Sequence, residues 1–217
     1  MRIVVTGLLV SAMLLLWGCT GLRHFSGTGP NDPFLREPGQ RPLVIAHGGC
    51  KRLFPENTMA AFDGSDTLGV DILEMDVVIT KDGVLVTCHD ETLDRTSDGS
   101  GNIYDHTFEE LQGFNFGYRF KGPQADYPYR EKHVPIPALE NVIAKYGGKY
   151  LFFIEIKSTG ARANVWADSL YSLLMRYDML GRTVVSSFDH DAIAYFRKIS
   201  TGSVCTSMSA KSTKRFI

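Results

Sequence analysis

ILEMDVVI occupies residues 72–79. An apolar run of this length, rich in β-branched residues, predicts a β-strand. Similar runs recur along the chain and alternate with segments of helical period, which is typical of a parallel sheet with crossover helices. The predicted strands are residues 43–46, 72–79, 84–88, 150–156, 183–187 and 203–207. The pattern therefore favours an α/β fold.

Two of the intervening segments have helix signals. Pro55 is predicted to open a helix over residues 56–68, and Gly69 to close it. In a later helix, Gly181 is the predicted end, and one apolar face is formed by Leu170, Leu173, Leu174 and Tyr177.

The composition is that of a globular protein. The 217 residues include 23 basic and 24 acidic side chains, for a formal net charge of −1, and 44% are hydrophobic. These values exclude wholesale disorder, collagen and coiled coil. They give no electrostatic basis for a nucleic-acid partner, which usually requires a basic domain.

The N-terminus has the pattern of a secretory signal. Arg2 precedes an apolar run over residues 3–17, which is shorter than the roughly 20 residues of a spanning helix. The run ends Leu16-Trp17-Gly18-Cys19, which resembles the bacterial lipobox. We expect a signal peptide at 1–18, lipidation of Cys19, a tether at 19–41 and a domain at 42–217. The alternatives are an uncleaved anchor, or a plain signal peptide with a chance cysteine.

A lipidated cysteine places the mature chain in the bacterial cell envelope, on the periplasmic side of a membrane. Thr20 follows the cysteine where inner-membrane lipoproteins often carry aspartate, so the outer membrane is favoured. The other cysteines are Cys50, Cys88 and Cys205. Cys50 and Cys88 are either bonded to each other in this oxidising compartment or are small buried residues.

Residues 92–137 interrupt the strand and helix rhythm. The segment is rich in glycine and carries aromatic residues at alternate positions, namely Phe114, Phe116, Tyr118 and Phe120. It is predicted to be an excursion at the mouth of the sheet. The aromatic side chains either line a substrate cleft or form a small local core.

Charged residues interrupt two of the predicted strands. Glu74 and Asp76 are two residues apart and therefore share one strand face, as do Glu155 and Lys157. Three carboxylates from two strands suit Mg²⁺ or Ca²⁺, and the lysine would meet an anion. Alternatively the strands have one solvated face, or Glu155 and Lys157 form a structural pair.

Two histidines fall at strand ends, where α/β barrels carry their catalytic residues. His47 follows the strand at 43–46, and His89 follows the strand at 84–88. Two imidazoles flanking a reacting group can act as general acid and general base near neutral pH. The alternative is a structural role for each.

The order of these pieces resembles the glycerophosphodiester phosphodiesterase family, in its bacterial lipoprotein type. The matching text is IAH at 45–47, PENTMAAF at 55–62, LEMDV at 73–77, TKDG at 80–83, VTCHDETLDRT at 86–96, VPIP at 134–137, IEIK at 154–157 and SSF at 186–188. The match extends from about residue 43 to the end of the sequence.

The resemblance implies a TIM-type (β/α)8 barrel that hydrolyses glycerophosphodiesters to glycerol 3-phosphate and an alcohol. It implies that Glu74, Asp76 and Glu155 hold the divalent cation, Ca²⁺ or Mg²⁺. It also implies that Lys157 lies near the phosphate and that His47 and His89 are the acid and base pair. Glu56 matches a family acid near the substrate, or is a favourable charge in the first turn of a helix.

Two departures from the family pattern stand out. The usual His-Arg-Gly reads His47-Gly48-Gly49 here, so Lys51, Arg52 or glycine amides would have to meet the phosphate. An eight-stranded barrel usually takes about 250 residues, and the domain offers about six strands. We therefore expect a barrel that lacks its C-terminal part.

Three functions remain open at this point. The first is the metal-dependent phosphodiesterase acting on a small-molecule diester. The second is a lysophospholipase D-type enzyme acting on lipids at the membrane. The third is an inactive lipoprotein or binding module, favoured by Gly48 and the missing strands. The sequence leaves the oligomeric state unknown.

Overall fold

A computed structural model describes residues 32–157, 163–200 and 204–207. The predicted signal peptide, Cys19 and the first part of the predicted tether lie outside the described residues, as do the side chains of residues 204–207. Residues 32–41 form turns and contain no helix or strand. No helix in the described part of the chain is both long and apolar enough to cross a membrane.

Six strands form one sheet within the described residues. They are β1 (Ile45–Ala46), β2 (Ile72–Ile79), β3 (Leu85–Thr87), β4 (Leu151–Ile156), β5 (Thr183–Ser187) and β6 (Val204–Ser207). The order is β1-β2-β4-β5-β6, and each neighbouring pair is parallel. All six strand predictions are therefore confirmed to within two residues at each end.

The third strand departs from the expected parallel pattern, because β3 pairs with β2 in the antiparallel direction. Only five residues separate β2 from β3, whereas a parallel crossover needs a dozen or more. Thr80 closes this turn, since its backbone N–H donates to the carbonyl of Val84 at 3.0 Å. Gly83 adopts a left-handed conformation there, with φ of 83°.

Five α-helices accompany the sheet in the described ranges. They are α1 (Met59–Leu68), α2 (Phe108–Leu111), α3 (Leu139–Tyr146), α4 (Ala163–Arg176) and α5 (His190–Ile199). Short 3₁₀ turns lie at Ile103–Asp105 and Leu180–Arg182. The helices α1, α3, α4 and α5 bury apolar residues in one core with the sheet, including Phe62, Phe152, Trp166 and Phe196.

The predicted start of the first helix was wrong. α1 begins at Met59, because Thr58 is extended and its side chain accepts the backbone N–H of Ala61 as an N-cap. Glu56 therefore precedes the helix and does not lie in its first turn. Gly69 is confirmed as a left-handed C-cap, with φ of 67°. The predicted end at Gly181 was also wrong, since α4 ends at Arg176.

A second, smaller apolar cluster lies under residues 92–137. It joins Val78 and Val86 of the sheet to Leu93, Ile103, Leu111, Phe116 and Ile136, and Phe114 packs against it. The local-core interpretation is thus confirmed for Phe114 and Phe116. Cys50 and Cys88 are free thiols, so the disulfide alternative was wrong.

Candidate active site

Three carboxylates meet where β2 and β4 lie side by side. Glu74 and Asp76 project from β2, and Glu155 of β4 is the register partner of Asp76. One oxygen from each carboxylate lies within 4.8 Å of the other two. All three side chains are buried. The structure therefore brings together the three acids that the sequence suggested as metal ligands.

The buried acids repel one another. Burial, together with repulsion from Asp76 and Glu155, raises the pKa of Glu74 to about 7 from its usual 4.5. The backbone N–H of Gly48 donates to Glu74 Oε2 at 2.5 Å and opposes this shift. A cation among the carboxylates would remove the repulsion.

Asp76 is held on two sides. Asn57 Nδ2 donates to Asp76 Oδ2 at 2.9 Å, and the backbone N–H of Asp76 donates to Asn57 Oδ1 at 3.0 Å. The other oxygen, Oδ1, accepts no hydrogen bond of normal geometry from the described residues. Its neighbour is the ammonium of Lys157, an ion pair at 3.0 Å.

Lys157 follows β4 and contacts Glu155 as well as Asp76. Burial of the ammonium opposes its charge, but the hydrogen bond to Glu155 and the electrostatic attraction of both carboxylates prevail and raise the pKa of Lys157. The pair of Glu155 and Lys157, which was the alternative interpretation of these residues, is therefore present, and it lies inside the acidic cluster. One ammonium against three carboxylates leaves a donor set of oxygens that fits a divalent cation of the Mg²⁺ or Ca²⁺ type.

His47 lies at the end of β1 beside this cluster. Its Nε2 is 3.9 Å from Glu74 Oε1 and 3.3 Å from Lys51 Nζ. The three residues that follow it, Gly48, Gly49 and Cys50, all have left-handed backbones, with φ of 56°, 69° and 63°. This tight loop folds Lys51 back over Gly48.

Lys51 fills the space beside position 48. Its Cβ and Cδ lie 3.4 Å from where a Cβ on Gly48 would stand. The glycine amides are engaged within the protein, since Gly48 N–H bonds Glu74 and Gly49 N–H bonds the carbonyl of Ala46. Of the three groups considered for the phosphate, Lys51 is therefore the one that the loop places beside His47.

The loop predicts a difference between two glycine variants. A Cβ on Gly49 would lie 2.9 Å from side-chain atoms of Ala61 and Phe62, whereas one on Gly48 meets ordinary contacts at 3.4 Å. Gly48→Ala should lower the free energy of unfolding by about 1–2 kcal/mol, because alanine is strained in the left-handed conformation. Gly49→Ala adds steric overlap with Ala61 and Phe62 and should lower the free energy of unfolding by about 2–4 kcal/mol. Urea unfolding measures both; equal losses would contradict the prediction.

His89 follows β3 and is oriented by Asp90. Asp90 Oδ1 lies 2.6 Å from His89 Nδ1, and because a carboxylate only accepts, Nδ1 carries the proton. This leaves Nε2 for an incoming group. The residue before His89, Cys88, donates its N–H to the carbonyl of Asp76 at 2.9 Å. The hairpin therefore returns His89 to the level of the acidic cluster.

Arg95 links Asp90 to Glu56. Its Nε donates to Asp90 Oδ2 at 2.5 Å, and its terminal nitrogens donate to Glu56 at 2.5 and 3.1 Å. The bonds to Glu56 and Asp90 raise the pKa of Arg95, against the effect of burial. Sequence reasoning assigned no role to Arg95, Asp90 or Asn57. Of these, only Asp90 had a local signal, its position next to His89.

A sequence model of the glycerophosphoryl diester phosphodiesterase family matches residues 47–215. The chain belongs to this family. The match includes the acidic cluster, Lys157 and both histidines. Solved structures of the family are TIM barrels, so the predicted fold class is confirmed. The described sheet is open, with β1 and β6 at its edges, as in an incomplete barrel.

Individual relatives agree with this assignment. The chain is 38% identical over 164 residues to a glycerophosphodiester phosphodiesterase from Caldanaerobacter subterraneus subsp. tengcongensis, covering 73% of this chain and 63% of that protein. It is 34% identical over 160 residues to the putative glycerophosphodiester phosphodiesterase YhdW of Bacillus subtilis, covering 72% and 61%. The chain thus spans about three-fifths of the length of these curated relatives.

Solved structures show the same similarity. The family domain of Rv2277c from Mycobacterium tuberculosis superposes with a TM-score of 0.69 at 29% identity, covering 76% of this chain and 59% of that one. A phosphodiesterase from Oleispira antarctica, solved in complex with the product sn-glycerol-3-phosphate, has a TM-score of 0.66 at 26% identity, covering 80% and 68%.

Proposed function

We propose that this family member hydrolyses glycerophosphodiesters to sn-glycerol 3-phosphate and an alcohol, with Ca²⁺ or Mg²⁺ as its cofactor. The observation that carries the proposal is the buried cluster of Glu74, Asp76 and Glu155 with Lys157 at its side. The product bound to the Oleispira antarctica phosphodiesterase supports the substrate class.

The metal would be held by the three carboxylates. The family depends in general on a divalent metal, and an all-oxygen donor set favours the hard cations Ca²⁺ and Mg²⁺. When bound, such an ion draws negative charge from phosphoryl oxygens and so stabilises the transition state.

The side chains around the cluster would move the protons. One histidine of the pair His47 and His89 removes the proton from the attacking hydroxyl oxygen, and the other donates a proton to the departing alcohol oxygen. The contact of Asp90 with His89 Nδ1 supports this role, because it leaves Nε2 as the nitrogen that would exchange a proton with the substrate. Lys51 and Lys157 offer positive charge to the phosphate oxygens.

The direct test is release of sn-glycerol 3-phosphate from glycerophosphocholine by the chain beginning at residue 19, with Ca²⁺, Mg²⁺ or a chelator. We expect turnover that the chelator abolishes and either ion restores. Circular dichroism on the same sample shows whether it is folded. A cooperatively folded protein without turnover would contradict the proposal and favour a binding module. Turnover that persists in the presence of the chelator would contradict the metal dependence.

Metal affinity should depend on pH through Glu74. Its pKa of about 7 in the folded protein means that metal binding below pH 7 must release a proton. We expect the affinity for Ca²⁺ to rise about tenfold per pH unit up to pH 7 and then level off. Calorimetric titrations between pH 5.5 and 8.5 measure this. An affinity independent of pH over that range would contradict the assignment of Glu74.

We also propose that the protein is anchored to a bacterial membrane, with the outer membrane favoured, by lipid on Cys19. The support is the sequence of residues 1–19, which lies outside the described residues. Metabolic labelling with palmitate should mark the wild type and not Cys19→Ser, and the variant should leave the membrane fraction. Labelling of both proteins would contradict the proposal.

A further inference from the structure

A cavity of about 420 Å³ lies beside the candidate active site. Five of its lining residues are basic, namely Lys51, Arg52, Arg95, Arg119 and Lys121. Glu56 is the one acid among the lining residues that the structure describes. Phe116 and Phe120 add apolar surface to the wall. The volume lies within the range of small-ligand sites, roughly 300–1,000 Å³.

The cavity wall is connected to both histidines through neighbouring side chains. Lys51, on its wall, has its Nζ 3.3 Å from His47 Nε2. Arg95, also on its wall, is bonded to Asp90, which is bonded to His89 Nδ1. This places the cavity next to the site where we propose that the phosphate binds, on the side of Lys51 and Arg95.

The cavity has an excess of positive charge. Arg95 and Glu56 neutralise each other, with two bonds of 2.5 and 3.1 Å. Within the described part of the chain, none of the other four basic side chains has a carboxylate oxygen within 4.0 Å. Arg119 is fixed on the wall because its Nε donates to the carbonyl of Ser97 at 2.9 Å. Its terminal nitrogens remain able to bond a ligand.

We propose that this cavity selects diesters whose alcohol carries a negative charge of its own, such as a second phosphate group. Arginine and lysine side chains that lack a carboxylate partner attract phosphate, and arginine can bond it through two nitrogens at once. The same charges repel a quaternary ammonium such as choline. This inference rests on the proposed function and names its preferred substrate class.

The test compares glycerophosphoinositol 4-phosphate with glycerophosphocholine as substrates, by release of sn-glycerol 3-phosphate. We expect kcat/KM to be at least tenfold higher for the phosphorylated substrate at low salt, and this preference to shrink as ionic strength rises. In the double variant Arg119→Gln/Lys121→Gln, the ratio of the two kcat/KM values should fall at least tenfold.

Two further variants make the result interpretable. Arg52→Gln alters an exposed cavity residue and should lower the ratio of the two kcat/KM values severalfold. This variant tests the proposal independently if the double variant does not fold because Arg119 has lost its bond to Ser97. Lys132→Gln removes an exposed lysine outside the cavity lining and should leave the ratio unchanged. A wild-type preference for glycerophosphocholine, or a ratio that neither cavity variant changes, would overturn the proposal while the phosphodiesterase function stands.

Binding measurements separate the two proposals if no diester is hydrolysed. Calorimetric titration then measures the affinity for glycerophosphoinositol 4-phosphate directly. An affinity at least tenfold lower in the double variant supports the proposal. Equal affinity in both proteins overturns it. Inorganic phosphate is the free-anion control: if it binds as tightly as the diester, the cavity is a general anion site and the proposed substrate selection is wrong.

Discussion

Glu74→Gln should lower the metal-dependent kcat/KM by about 10³-fold and, in the metal-free protein, raise stability at pH 8. The substitution keeps the side-chain size and an oxygen for the Gly48 N–H, but it removes one of three charged metal ligands. Loss of metal-ion catalysis is worth several kcal/mol, whereas ionised Glu74 destabilises the metal-free fold because its pKa is raised to about 7.

The sign of the stability change follows from the proton balance. The folded protein binds the Glu74 proton more tightly than the unfolded chain, so stability falls as pH rises from about 4.5 to 7. Above that range the penalty is fully present, and Glu74→Gln should recover roughly 1–3 kcal/mol of it. Urea unfolding in chelator at pH 4 and pH 8 measures the difference, which should vanish at pH 4.

Glu140→Gln is the matched control, since Glu140 forms an exposed ion pair with Arg176 at 2.6 Å and lies outside the acidic cluster. Its activity should stay within twofold and its stability within about 1 kcal/mol of the wild type. If Glu74→Gln kept more than a tenth of the wild-type activity, the acidic cluster would not be the metal site.

His47→Gln and His89→Gln should each lower kcat for glycerophosphocholine by about 10²–10⁴-fold, the usual worth of a general acid or base. The two variants should differ in their activity on a glycerophosphodiester whose alcohol is p-nitrophenol. This leaving group needs no proton, so the variant that lacks the general acid should recover most of its activity. The variant that lacks the general base should stay impaired.

His133→Gln serves as the control for these two variants, because His133 is exposed and lies in the segment 92–137. Its rates should match the wild type on both substrates. If kcat fell less than tenfold in both His47→Gln and His89→Gln, neither histidine would be a general acid or base. Equal recovery of both variants on the p-nitrophenyl substrate would contradict separate acid and base roles.

The parts of the fold that follow from local pattern were predictable from the sequence. The strand at 72–79 is a continuous apolar run, and the two-residue spacing of Glu74 and Asp76 placed both on one face, where the structure has them. Convergence with Glu155 followed from the parallel pairing of two such strands. The end of α1 at Gly69 was predictable because glycine adopts the left-handed cap conformation without steric cost, whatever its distant neighbours are.

The remaining features depend on contacts between distant residues. Arg95 bonds Glu56 across 39 positions, and Asn57 bonds Asp76 across 19, so no local pattern reveals either pair. The direction of β3 was missed although its cue was local, since a five-residue connection forces a hairpin. The start of α1 differs from the prediction because Pro55 is only a local helix-start signal, whereas Thr58 is the residue that caps the helix.

The bonds of Asn57 also couple the loop before α1 to the sheet. The loop before α1 holds Gly48, Gly49, Cys50 and Asn57 in left-handed conformations, which cost free energy at the two non-glycine residues, Cys50 and Asn57. Its compensating partners lie far along the chain: Glu74 bonds Gly48, Asp76 bonds Asn57, and Thr87 Oγ1 donates to the carbonyl of Asn57. The shape of the loop therefore depends on contacts that exist only when β2 and β3 are in place, so the position of His47 is coupled to the formation of the sheet.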